Sequence, residues 1–132
     1  MIKIFRAAVI LSYVLFVVYM VKPYVDTSFH DEETLKILSL NGYGAVISLS
    51  AWTDWIFLGI WFVLAVGMYL FNPIARLVYL LMVVIFTLLG PFFGIYVGTG
   101  TELALFQAIA YLDGAILTMA YLTSLSKKFK KA

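Results

Sequence analysis

Four long apolar runs, roughly 4–21, 45–71, 77–97 and 103–122, are separated by short polar breaks. Each approaches or exceeds the ~20 apolar residues a helix needs to cross a hydrocarbon core of about 30 Å. The runs are too continuous to be the core of a water-soluble domain. The pattern predicts an all-α integral membrane protein: a single domain over 1–132, with four transmembrane helices in a bundle.

The breaks carry helix-ending chemistry. Lys22-Pro23 should end the first helix, because proline cannot continue the hydrogen-bond ladder. In the outer segment 22–44, Asp31-Glu32-Glu33 suits the start of a short helix. That helix should run to about Leu40, with Leu35, Ile37 and Leu38 laying it on the membrane surface. Asn41-Gly42-Tyr43-Gly44 is a break. The second span starts anywhere from Ala45 to Trp52. Asn72-Pro73 makes a tight turn into the third. Gly98-Thr99-Gly100-Thr101 links the third to the fourth, with Thr101 as N-cap.

Composition sharpens this picture. The chain is 64% apolar and 12% charged, too little polarity to cover a soluble surface. Cysteine is absent, which excludes disulfides, thiolate zinc and thiol redox chemistry. The one histidine, His30, cannot form a bis-histidine haem site. No basic, aromatic-interleaved face suggests nucleic acid, and no cofactor or metal is expected.

Charge orients the spans. Lys3, Arg6, Arg76, Lys127, Lys128, Lys130 and Lys131 fall on one side of four spans. Lys22 and Lys36 fall on the other, with Asp26, Asp31, Glu32, Glu33 and Glu102. The positive-inside rule then places both termini in the cytoplasm. The first run begins with Lys3 and Arg6 but lacks a small-x-small cleavage site, so it reads as a retained helix. Lys127, Lys128, Lys130 and Lys131 read as an inner-leaflet anchor on anionic lipid. The expected location is the bacterial inner membrane.

Three acids are candidate proton or ligand sites. Asp113 lies about ten residues into the fourth run, near the bilayer midplane, where a charged carboxyl costs about 2.5–3.5 kcal/mol on insertion scales. Such a group is either a working site or a hydrogen-bonded joint between helices. At about 100° per residue, Glu102 shares its helical face. Asp54 is buried if its helix starts at Ala45, and interfacial beside Trp52 and Trp55 if it starts at Trp52. The interfacial role is preferred.

Gly90-x-x-x-Gly94-x-x-x-Gly98 suggests a smooth groove for close helix approach, with Gly114 on a matching surface of the fourth helix. Pro91 should kink the third. No residue motif identifies a family. The leading expectation is a non-enzymatic membrane protein acting by helix packing, either an accessory subunit or an immunity-type protein. The alternative is a proton-coupled carrier or small-ligand binder using Asp113. The spans offer an acid but no nucleophile, metal set or general-base partner for an enzyme. Expected partners are membrane lipids and a membrane protein or second copy.

Overall fold

The computed structural model describes residues 1–26 and 28–130, and those residues are helical or irregular, with no strand. The helices are α1 (Ile2–Asp26), α2 (Glu32–Leu38), α3 (Ala51–Tyr69), α4 (Pro73–Leu89) and α5 (Gly100–Leu122). Short 3₁₀ segments follow α4 (Gly90–Phe93) and α5 (Ser124–Lys130). Four helices are long and apolar enough to span a membrane: Ile2–Asp26, Trp52–Tyr69, Pro73–Phe93 and Gly100–Leu122.

The structure sets four boundaries. First, α1 continues through Pro23 to Asp26. Proline in a last turn removes only one N–H from the ladder. Second, the next span begins at Ala51, within the Ala45–Trp52 range expected for it, with Ser50 as N-cap. The backbone at 45–50 is engaged elsewhere, as Val46 and Ile47 donate to the Phe92 carbonyl at 2.9 and 3.0 Å. Third, the following helix starts at Pro73 and ends at Leu89. After the Gly90–Phe93 turn the chain unwinds at Gly94, whose φ of 84° lies in the left-handed region. Fourth, Thr99 rather than Thr101 caps α5. The short α2 is present, and Asp31 caps it by accepting the Thr34 N–H at 2.9 Å. It stops at Leu38.

The α3–α4 turn is a Schellman motif. The Asn72 N–H reaches the Gly67 carbonyl at 2.8 Å, and the Phe71 N–H reaches the Met68 carbonyl at 3.0 Å. Asn72 then caps α4 by accepting from Ile74 at 2.8 Å and Ala75 at 3.2 Å. The left-handed position, usually glycine, is Phe71 with φ 59°.

Packing fixes the order of the helices. Helix α1 lies between α5 and α3, α4 lies against α3, and α4 touches α5 more sparsely. The core runs through Phe5, Val9, Trp61, Leu64, Met68, Tyr79, Ile116, Ala120, Leu125 and Phe129.

The two ends of the helix assembly differ in charge. At the basic end, Phe5, Phe71 and Phe129 form a ring cluster with centroids 5.2–5.9 Å apart. Arg6 donates to the last carbonyl of α3, Tyr69 O, at 3.3 Å. Arg76 donates to Ala120 O at 3.3 Å and Ser126 O at 3.4 Å. Each guanidinium thus sits at the negative end of a helix dipole. Each also lies over aromatic rings: Arg6 over Tyr69 at 4.5 Å, Arg76 over Tyr121 at 4.6 Å. At the acidic end, the loops at 41–47 and 92–97 pair through Gly42 N to Ile95 O (2.8 Å) and Ile95 N to Tyr43 O (3.0 Å). Lys22 pairs with Asp26 and bonds Thr99 Oγ1 at 2.8 Å, tying α1 to the start of α5.

Candidate functional site at Asp113

Three helices meet at Asp113. On α1 the buried residues Phe5, Val9 and Ser12 follow helical spacing; on α5 Ile109, Asp113, Ile116 and Ala120 do the same. Tyr79 is the buried residue of α4. Ser12 lies about 15 Å into α1 and Asp113 about 14 Å from the other end of α5, at 1.5 Å per residue. Both therefore lie well inside their helices, away from the charged ends of the assembly.

The contacts are short and convergent. Ser12 Oγ donates to Asp113 Oδ1 at 2.6 Å, and Tyr79 OH donates to the same oxygen at 2.6 Å. Ser12 and Asp113 are 2% and 7% exposed. An aromatic layer stands over the site: Trp61 packs on Tyr79 at 5.8 Å, on Phe16 at 5.4 Å and on Phe86 at 6.2 Å. Trp61 Nε1 is buried with no hydrogen-bond partner among the described residues. No cation pairs with Asp113 among the described residues; the ion pair there is Lys22–Asp26, with His30 Nε2 3.7 Å from the same carboxylate. Two clefts lie between α1 and α3, of about 350 Å³ and about 10 Å³, and neither is lined by Asp113. The arrangement can join three helices through one oxygen. Among the described residues, the hydrogen-bond partners of the Asp113 carboxyl are these two hydroxyls.

The other candidate acids stand apart from it. Glu102 forms a capping box: its side chain accepts the Thr99 N–H at 2.8 Å while Thr99 Oγ1 accepts the Glu102 N–H at 3.3 Å. Eleven residues separate it from Asp113, about 16 Å along the helix. Asp54 is exposed in the first turn of α3. It faces the smaller cleft with Met20, Tyr24 and Trp55.

The glycine groove is not a helix face. Gly94 and Gly98 lie outside any helix, because the chain unwinds after Phe93. A side chain at Gly94 would meet the Gly42 and Tyr43 carbonyls at 2.6 and 2.7 Å, so this glycine serves the loop pairing. At Gly98 it would meet Glu102 and Tyr96. Gly90 and Gly114 have nothing within 4 Å of where a Cβ would lie. The close helix approach is instead at Gly67, whose Cβ would come 2.4 Å from the Ala75 Cβ. Lys127 and Lys128 are exposed on the 3₁₀ segment after α5. Lys130 ends that segment, and Lys131 lies outside the described residues.

Sequence reasoning missed Ser12 and Tyr79. Ser12 offered the signal of a hydroxyl in the middle of an apolar span. Tyr79 lies six residues after Pro73, near the start of its span, where a tyrosine is ordinary as an interfacial ring. Outside the spans, the Tyr96 phenol is pushed above its ordinary value by burial and then by the Glu102 charge. Compared with known proteins, the chain matches no family model, no curated protein and no solved structure.

Proposed function

We propose that this chain is a non-enzymatic protein of the bacterial inner membrane, a four-helix bundle with both termini in the cytoplasm and α2 at the outer surface. It works by packing one of its helices against a membrane partner, as an accessory subunit or an immunity-type protein. The observation that carries this reading is the outward face of α4. Ile74, Leu77, Leu81, Val84 and Leu88 are 71, 54, 48, 44 and 66% exposed. Their spacing of 3, 4, 3 and 4 residues keeps them on one helix face, as a seam requires. Helix α1 has the same spacing at Leu11, Val14, Val18, Val21 and Val25, and what singles out α4 is how little of it is buried. Tyr79 alone of α4 is buried, and Val78, Met82, Val83 and Phe86 pack partly against the core, so the opposite face of the helix is left open. Helices in lipid associate by such packing rather than by hydrophobic burial.

Asp113 supports the same reading from inside. A carrier or ligand binder built on this residue would need a polar path to its carboxyl; Ser12 and Tyr79 both hold Oδ1, and neither cleft between α1 and α3 is lined by Asp113. The seven basic groups on one side support the orientation through the positive-inside rule.

Photocrosslinking in cells tests the proposal. A benzophenone residue at Leu81 should give a discrete adduct, whose mass separates a second copy from another protein. The same residue at Val18, on the exposed face of α1, should give none. No adduct at Leu81, or equal adducts at both positions, would overturn the packing role of α4.

A further inference from the structure

A groove of about 350 Å³ runs between α1 and α3, lined by Ile10 and Tyr13 on α1 and by Phe62, Ala65 and Tyr69 on α3, with Leu70 just beyond it. We propose that it is a binding site for an anionic phospholipid, with one acyl chain in the groove and the phosphate at Arg6 and Lys3. This inference rests on the membrane setting alone and not on the α4 seam.

Its dimensions suit a chain rather than a helix. Along α3 the lining runs from Phe62 to Leu70, about 12 Å at 1.5 Å per residue. Half of a 30 Å core, the depth of one leaflet, is about 15 Å. A helix about 10 Å across would fill on the order of 900 Å³ over the same length, well beyond the space present. Tyr13 and Phe62, with ring centroids 5.5 Å apart, stand at the end of the groove away from Arg6.

Charge selects the headgroup. Lys3, Arg6, Ile10 and Tyr13 are spaced 3, 4 and 3 residues apart, so one face of α1 continues from the groove wall into two cations. The Arg6 guanidinium lies 4.5 Å from the centre of the Tyr69 ring, which is itself part of the wall. Its bond to Tyr69 O at 3.3 Å fixes its position at the rim, and a guanidinium matches phosphate geometry. Lys3 is exposed beside it in sequence. The described acids other than Asp113 are Asp26, Asp31, Glu32, Glu33, Asp54 and Glu102, all at the opposite end. A phosphate at Arg6 therefore meets cations and none of the described side-chain carboxylates.

Native mass spectrometry of the full chain, released from equimolar phosphatidylglycerol and phosphatidylcholine, reads the site. The wild type should retain one phosphatidylglycerol in preference to phosphatidylcholine. Arg6→Gln should keep a lipid but cut that preference about fivefold, the effect of one cation near an anionic headgroup. Lys3→Gln, at an exposed position, should shift it the same way and gives the readout if Arg6→Gln does not fold. Ala65→Phe should fill the groove and lose both lipids, while Val18→Phe on another face of α1 retains them. Equal retention of the two lipids by the wild type would overturn the headgroup assignment. Wild-type retention by a folded Ala65→Phe would overturn the groove.

Discussion

Phe71 shows how a single residue can be held against its own preference. Its φ of 59° costs an L-residue about 1–2 kcal/mol relative to glycine. The ring offsets that cost by stacking on Phe5 at 5.4 Å, meeting Phe129 at 5.2 Å and lying under Arg6 at 5.5 Å. Phe71→Ala should lose the ring and keep the strain, whereas Phe71→Gly loses the ring and relieves it. The glycine variant should therefore be the more stable of the two by about 1 kcal/mol, read by unfolding in detergent. An alanine variant of equal or greater stability would show that the turn is not strained. Asp31 is a second residue with a definite sign. Hydrogen bonds from Thr34, side chain first and backbone N–H second, hold its carboxylate below its ordinary value. The cap therefore contributes fully above an unfolded value of about 3.9 and is lost as pH falls through the lower folded value. The Thr34 amide resonance should titrate with a midpoint below 3.8; a midpoint at or above it would mean that the carboxylate does not cap α2.

At the scale of elements, glycine position decides what a substitution does. Gly67 sits where α3 and α4 approach, with the Ala75 Cβ 2.4 Å from its virtual Cβ. Gly67→Val should cost about 1–3 kcal/mol by overpacking. Gly114→Ala has open space and should stabilise α5 by about 0.5–1 kcal/mol. The reverse order in an unfolding titration would contradict the α3–α4 packing. This contrast also marks the limit of sequence reading. Length and apolar continuity revealed four spanning helices, because the cost of unsatisfied backbone in lipid leaves helices as the simplest answer. The G-x-x-x-G spacing did not reveal a helix face, since Pro91 and a left-handed Gly94 end the helix inside the motif. Asp113 was legible as an anomaly, a carboxyl amid apolar residues. Its partners were not, because Ser12 and Tyr79 lie 101 and 34 residues away in sequence. Glu102 shares a helical face with Asp113 and so reads in the sequence as a candidate site beside it, yet local capping uses its carboxyl.

Across the whole molecule, polarity is arranged by end. Cations at one end cap helix C-termini and lie on rings, acids at the other end cap helix N-termini, and one carboxyl sits midway. That midpoint decides between a protein that packs and one that carries. A hydroxyl-sealed joint excludes water from Ser12 and Asp113; a transport site admits it. The chain has no cysteine, so a single thiol reports cleanly. The decisive measurement is the reaction of a membrane-embedded Ser12→Cys variant with a water-soluble maleimide, beside an exposed Lys128→Cys control. The account predicts that the control labels readily while position 12 stays unreacted until detergent unfolds the chain. Labelling of position 12 at the rate of the control would mean that water reaches Asp113, and the structural reading of the site would be wrong.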